Sequence, residues 1–563
     1  MFLKVGRCSE RKPSDCRARA VYDARGHVRK RPAGCPARPY HRPMCPRTLP
    51  CPTTPASAHD DACYLALTAR DARFDGRFFT AVTSTGIYCR PVCSTRTPKR
   101  QNCRFFNHAA QAEIAGFRPC LRCRPELAPS SLPWSTQDAS ATLAHQAARL
   151  LDTPGAFSVS SLASRLGVSR RHLQRIFQAH LGVSPLQFLQ TRRRLTAKQL
   201  LADTTLPVSQ VALMSGFASV RRFNAAFVAH YQLNPGTQRR QSAAPLQAGP
   251  AGASGITVRL GYRPPFDAPA MLAFFKTHVM AGSEFIDEDP HGHPRMGMTC
   301  RIGHTEDNTW HTGWLLVQFD APRTELVLRV SDSLCAVLPQ VIRRVRALLD
   351  LDADPAAINH TLDPCFPGAG GLRVPGALDG FELAVRAILG QQITVAAART
   401  VAQRLVTALG EPIITPWPAL NRVFPTPLQL AHTSSDAMGA LGIIRQRQAA
   451  IVALAQAVAS RQLQLDSHAD VPTTLTALKA LPGVGDWTAQ YTAMRALRWP
   501  DAFPAGDVAL HKALGVQGLK HPARLAEAAS ASWSPWRSYA VIRVWSGAWR
   551  GPVEANPSEI RLN

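Results

Sequence analysis

Leu481-Pro482-Gly483-Val484-Gly485 runs into Asp486 and Trp487, and a lone acid, Asp507, follows about twenty residues beyond the tryptophan. Two glycines in a loop between helices let the backbone turn its N–H groups outward, close enough to hold a phosphate with no side chain intervening. A carboxylate held one helix away from that grip can act on a nucleotide extruded from a duplex. Grip plus acid points to base excision.

Around this stretch the pattern is helical, with apolar residues spaced by three and four over Phe381 to Leu409 and Arg447 to Ala459. Upstream, Ile256–Leu260, Gly313–Phe319 and Glu325–Val330 read as strands. No cysteine follows Cys365, so the C-terminal region cannot hold a cysteine-ligated iron–sulfur cluster. With 563 residues the chain exceeds a single ordinary core and reads as several domains. Lys and Arg total 65 against 38 Asp and Glu, a net charge of +27, which makes a polyanion the natural partner. No apolar run is long enough to span a membrane, and the opening residues lack the apolar core of a secretory signal, so a cytoplasmic protein is expected.

These patterns divide the chain into a basic tail (1–59) expected to be disordered, a cysteine-bearing unit (60–129) and a helical unit (140–240). A linker (241–255), a mixed segment (256–375) and a helical C-terminal unit (376–552) follow. The expected fold class is multidomain and mainly α. It comprises a small α/β zinc unit, an all-α double helix-turn-helix unit, an α+β subdomain and an all-α helix-hairpin-helix domain.

Cys89-Arg-Pro-Val-Cys93 and Cys120-Leu-Arg-Cys123 are two close pairs separated by enough chain to fold back. Four thiolates at such spacing suit tetrahedral zinc, and the bland role is a staple for a domain too small to hold itself. Zinc with four thiolates carries a charge of about 2−, which keeps a sulfur ionised and nucleophilic at neutral pH. Cys63 and Cys103 fall outside the paired spacing and read as buried free thiols.

With Phe74-Asp-Gly-Arg-Phe78, Thr85-Gly-Ile-Tyr-Cys89 and Arg118-Pro-Cys120, this unit resembles the methyl-accepting domain of Ada-type adaptive-response proteins. The resemblance implies that Cys89 takes methyl from DNA methylphosphotriesters and that Cys93, Cys120 and Cys123 complete the zinc ligands. It makes Thr85, Arg96 and Arg118 candidate phosphate contacts.

Val159-Ser-Ser-Leu-Ala163 with Gly167 and an Arg-rich continuation, and Val211-Ala212 with Gly216 and Arg221-Arg222, repeat one arrangement. Each places a small residue in a first helix and a glycine at a tight turn, so that a second helix can enter a major groove. Joined by Val183–Leu189 and a helix from Arg192 to Leu201, and closed by Asn234-Pro-Gly-Thr237, the pair resembles the AraC-type DNA-binding domain. The resemblance makes Arg170, Arg171, Arg175, Arg221 and Arg222 candidate DNA contacts, promoter DNA a partner and RNA polymerase a candidate partner. The Pro-Cys-His-Arg signature of a methylguanine methyltransferase is absent.

From Leu260-Gly-Tyr-Arg-Pro-Pro-Phe-Asp267 onward the chain resembles 3-methyladenine DNA glycosylase II, the AlkA type. Phe381, Ala387-Ile-Leu-Gly-Gln391, Phe424-Pro-Thr-Pro427, Leu441-Gly442, the glycine hairpin, Asp507 and Pro535–Ala540 carry this likeness. It implies a monofunctional glycosylase acting on N-alkylated purines in double-stranded DNA. Asp507 would stabilise the sugar cation, and Gly483 and Gly485 would grip the backbone. Phe274, Trp487, Tyr491 and Trp545 would form an aromatic pocket that attracts a cationic base. The resemblance also implies that hairpin glycosylases that cut the strand place a lysine nucleophile where Trp487 stands. The family's wedge leucine corresponds to Gln392 here, with Ile393 as the alternative wedge. A second reading is a regulator whose glycosylase-like half binds DNA without turnover.

Overall fold

The structure is a computed structural model describing residues 58–130, 139–151, 158–241, 255–303 and 309–548. The tail through residue 57 and the linker residues 131–138 and 242–254 lie outside these described residues, as does the disorder expected of the tail. Among the described residues no helix is long and apolar enough to cross a membrane.

The N-terminal unit is a four-stranded sheet in the order Cys103–Phe106, Phe79–Val82, Ile87–Cys89, Arg118–Pro119. Only the last pairing is parallel, with Tyr88 opposite Pro119. This register brings the cysteine pairs together, because Cys89 ends one strand and Cys120 immediately follows its neighbour. The Cys120 N–H donates to the Tyr88 carbonyl at 2.9 Å.

The two helix-turn-helix units are Val159–Arg165 with Arg170–Leu181, and Val208–Met214 with Val220–Tyr231. Gly167 (φ +66°) and Gly216 (φ +84°) supply the left-handed turns that the motif requires. The connecting helix is longer than the sequence suggests, Pro185–Asp203, because Ser184 and Gln187 form a capping box around Pro185 at the first helical position. The first unit has its own core, built on Leu162, Leu173, Ile176 and Phe177.

The second unit shares a core with the next subdomain. That subdomain is a five-stranded antiparallel sheet in the order Ile256–Gly261, Glu325–Val330, Trp310–Asp320, Pro294–Gly303, Glu284–Glu288. Glu325–Val330 alternates half-buried and buried positions, and its buried face meets Val341, Val345 and Leu348 of the helix Leu338–Leu348. Each such aliphatic side chain removed from water contributes about 1.5–3 kcal/mol. The connecting helix covers the Ile256–Gly261 edge, where Gln199 donates to the Arg259 carbonyl at 2.9 Å.

The C-terminal domain is helical except for a two-residue antiparallel pairing of Glu411–Pro412 with Arg422–Val423. The apolar stretch Phe381 to Leu409 divides into Gly380–Leu389 and Val395–Leu409. Its break contains Gln392 at φ +57°, and Thr394 restarts the helix by accepting from the Ala397 N–H at 3.2 Å.

Candidate functional site

The glycine hairpin joins the helix Val471–Lys479 to the helix Asp486–Arg495. Gly483 adopts φ +74°, and an added Cβ there would lie 3.3 Å from that of Ala450. Gly485 differs, since its φ of −86° suits any residue and an added Cβ would meet nothing within 4 Å. Its own fold does not demand a glycine there, so the bare backbone at this exposed position is suited to close approach by a ligand.

Gln391 fastens three helix starts together. Its amide donates to the Gly483 carbonyl at 3.0 Å and to Thr488 Oγ1 at 2.9 Å, while Arg447 donates to its backbone carbonyl. The N-termini of Val395–Leu409, Arg445–Ala459 and Asp486–Arg495 are thus held in one locality, and backbone N–H groups at helix starts favour phosphate. Gln392 is exposed at the same turn and Ile393 is half-buried. The left-handed backbone at Gln392 is a local cost of order 1 kcal/mol that tertiary contacts must hold.

Asp507 is half-buried and caps the short helix Val508–Ala513, accepting from the Leu510 N–H at 3.0 Å. Trp487 Nε1 donates to its Oδ2 at 3.0 Å and Trp545 Nε1 to its Oδ1 at 3.2 Å. Three N–H donors therefore fix the orientation of the carboxylate. Trp487 and Tyr491 lie one turn apart on the same helix and stack nearly parallel, with centroids 5.0 Å apart and planes at 11°. A base slipped between two rings needs about 7 Å, twice a van der Waals contact, so this stack is a closed wall. Trp545 stands 6.3 Å from Tyr491.

Phe274 reaches the cluster through Arg495, whose guanidinium carbon lies 4.9 Å from the Phe274 ring and 5.3 Å from the Tyr491 ring. Arg495 is buried and donates to the carbonyls of Pro375 (2.8 Å) and Gly376 (3.0 Å) and to the Tyr491 hydroxyl. Phe274 also stacks on His278 with centroids 4.5 Å apart. A cavity of about 1730 Å3 opens where the zinc unit, the first helix-turn-helix unit, the α+β subdomain and the C-terminal domain meet, but Asp507, Trp487, Tyr491 and Trp545 do not line it.

In the N-terminal unit the ligand atoms of Cys89, Cys93, Cys120 and Cys123 all lie within 4.8 Å of one another, and all four residues are buried. A tetrahedron with zinc–sulfur bonds of about 2.3 Å spaces its sulfurs about 3.8 Å apart, so this donor set fits zinc. The Arg90 N–H points at Cys123 Sγ from 3.3 Å, and Thr95 Oγ1 lies 3.1 Å from Cys93 Sγ. Cys63 and Cys103 are buried outside the cluster, and burial pushes the Cys63 thiol up to about 11. Thr85 and Arg96 are exposed. Arg118 is half-buried and donates to the Tyr231 carbonyl at 3.3 Å, against the second helix-turn-helix unit. Arg170, Arg171, Arg221 and Arg222 are exposed on the first turns of the two second helices, and Arg175 is exposed one turn further along the first of them.

Four family profiles match in chain order. They are the metal binding domain of Ada (62–126), a helix-turn-helix domain (162–241), the AlkA N-terminal domain (257–379) and the HhH-GPD superfamily of base excision DNA repair proteins (385–537). A Mycobacterium tuberculosis protein described as a "probable bifunctional transcriptional activator/DNA repair enzyme AlkA" is 38% identical over 498 residues, covering 87% of this chain and 97% of that one. The chain belongs to this bifunctional AlkA family. Escherichia coli DNA-3-methyladenine glycosylase 2 is 30% identical over 296 residues, covering 53% of this chain and 99% of the relative. The Escherichia coli bifunctional transcriptional activator/DNA repair enzyme Ada is 38% identical over 143 residues, 25% of this chain and 39% of the relative.

In this bifunctional AlkA chain Trp487, Tyr491, Trp545 and Asp507 converge from three helices, and Phe274 joins them from a fourth through Arg495. The sequence did not reveal that both indoles donate to the carboxylate. Arg495 also escaped notice, although Thr488, Thr492 and Arg495 form a polar series on the buried face of their helix. Gln391 was quoted within a motif without its role as a fastener. Arg118 lies against protein rather than open to solvent, because the second helix-turn-helix unit packs over it.

Proposed function

We propose that this chain excises N-alkylated purines of the 3-methyladenine type from duplex DNA and couples that repair to a methylphosphotriester-sensing transcriptional regulator. The carboxylate of Asp507, pinned by the two indole N–H groups and the Leu510 N–H, is the single observation that carries the excision half. The hairpin and neighbouring helix starts grip the backbone, and Gln392 or Ile393 fills the space left by the extruded nucleotide. An alkylated purine already bears positive charge, so the bond from C1′ to the base nitrogen breaks with its electron pair going to the base, which leaves neutral. Asp507 stabilises the sugar cation electrostatically until water adds at C1′ and loses a proton. Trp487 in place of an amine nucleophile supports hydrolysis without strand cleavage.

In the sensor half, bound zinc keeps the cysteine sulfurs ionised. The Cys89 thiolate attacks the methyl carbon of a methylphosphotriester, the sulfur–carbon bond forms, and the methyl–oxygen bond breaks to leave a phosphodiester anion. Cys89 ends as a thioether and does not turn over. Loss of one negative charge eases the approach of this unit to DNA. The exposed arginines of the two helix-turn-helix units then hold promoter DNA, and RNA polymerase is the partner that an activator at such a site would engage. Such a chain acts in the cytoplasm, with the DNA it serves.

Purified protein incubated with methylated duplex DNA should release free methylpurine and retain one methyl group on the peptide containing Cys89. Methyl transfer with no base release would replace the excision reading by that of a regulator whose C-terminal half only binds DNA. Borohydride trapping of a protein–DNA adduct would overturn the monofunctional mechanism.

A further inference from the structure

The zinc unit meets the α+β subdomain along a seam of buried polar contacts. Arg263 is only 1% exposed, and all its guanidinium nitrogens are engaged. Towards the sensor it donates to the carbonyls of Asp75 (2.7 Å), Pro129 (3.0 Å) and Ser130 (2.7 Å), and towards its own subdomain to those of Asp352 and Ala353, both at 2.9 Å. Arg77 pairs with Asp354 at 2.5 Å, and the Ser130 N–H donates to Asp352 Oδ1 at 2.6 Å. The backbones of the two units approach so closely that a Cβ on Gly261 would lie 2.5 Å from the Leu127 carbonyl oxygen.

One residue touches both this seam and the cysteine cluster. Arg90 follows Cys89 directly, gives its N–H to Cys123 Sγ and donates from its guanidinium to the Cys123 carbonyl at 3.1 Å. The same guanidinium forms a buried ion pair with Asp75, whose backbone carbonyl accepts from Arg263. A Cβ on Gly261 would also stand 3.5 Å from Arg90 Nη2. A buried cation shared between an anionic cluster and a carboxylate must redistribute its interactions when the cluster loses charge, because low-dielectric surroundings do not screen the change.

We infer that this surface of the zinc unit is a docking face for the glycosylase half of the same chain, with Arg90 coupling the charge of the cysteine cluster to the seam through Asp75 and Arg263. Sensor and glycosylase are then not independent modules on a string. The inference takes the cluster as a charged zinc site but does not require that Cys89 accept methyl.

Hydrogen–deuterium exchange on the full-length, zinc-loaded chain tests this coupling, reading peptides that cover 256–263 and 350–356 with the distant hairpin 481–491 as reference. Cys89→Ser removes one thiolate whether or not methyl transfer occurs. It should raise exchange in both seam peptides about tenfold and leave the hairpin unchanged. Arg90→Met should have a similar effect, and Cys89→Ser added to Arg90→Met should change the seam little further. Gly261→Ala, a steric wedge outside both sites, should loosen the same peptides without loss of zinc. Native-like exchange at the seam in Cys89→Ser, or effects of Cys89→Ser and Arg90→Met that simply add, would overturn the coupling. Failure of the methyl-acceptor assignment would be read separately, as an unmethylated Cys89 peptide.

Discussion

Replacing Asp507 by Asn separates the charge of this carboxylate from its structural duties. An asparagine whose carbonyl oxygen takes the Oδ1 position keeps the bonds from the Leu510 N–H and Trp545 Nε1, and Asn caps a helix as well as Asp. The amide nitrogen then faces Trp487 Nε1, donor against donor, and one indole N–H loses its acceptor. That loss costs about 1–3 kcal/mol, a shift of a few degrees in the unfolding temperature of a domain this size. The effect on chemistry should be larger. A full charge about 4 Å from a sugar cation, at an effective dielectric constant of about 20, is worth about 4 kcal/mol, or roughly a thousandfold in rate. Single-turnover release of methylpurine from alkylated duplex DNA, with protein in excess, measures this directly. A rate within about tenfold of the native protein, with the fold intact, would refute the electrostatic role of Asp507.

Gly483→Ala forces a side chain into a left-handed turn beside Ala450 and should cost about 1–2 kcal/mol of stability, whereas Gly485→Ala, with open space at its Cβ, should leave folding unchanged and weaken duplex binding in a salt-titrated shift assay. His278, stacked on Phe274, is held down to about 4 by burial, with the positive charge of Arg495, Arg386 and Arg399 adding to it. Between about pH 6.5 and 4 the unfolded chain therefore binds a proton that the folded chain refuses, so stability falls as the solution is acidified through this window, by up to about 3 kcal/mol. Denaturant melts at pH 7 and pH 5 should show about 2 kcal/mol of that loss, and His278→Asn should remove most of it. Metal analysis should return about one zinc per chain, and a chelator should unfold the N-terminal sheet while the hairpin domain keeps its melting transition.

Much of the molecule is written in local sequence. Cysteine spacing, glycine turns with small residues before them, and the Leu-Pro-Gly-Val-Gly hairpin each answer to local requirements: ligand reach, a left-handed dihedral, a bare backbone. The alternation at Glu325–Val330 and the three-and-four spacing over Phe381–Leu409 likewise mark strand and helix, because one face of each must leave water. The break at Gly390–Thr394 is less legible, since Gln392 has no intrinsic preference for φ +57° and is held there by contacts that Gln391 makes about ninety residues away.

By itself the sequence determined the order of the modules, the four-cysteine donor set and the place of the glycine hairpin with an acid beyond it. Only the tertiary structure decided that two indoles aim their N–H groups at one carboxylate, that Arg495 lies between Phe274 and Tyr491, and that Arg118 faces the Tyr231 carbonyl. It also decided that Arg263 closes a seam between the zinc unit and the α+β subdomain. The division has a physical cause. Periodicity and turn chemistry act over a few residues and can be read along the chain. The direction of a buried donor is fixed by whichever distant acceptor the packing brings within hydrogen-bond reach, and no local pattern encodes it.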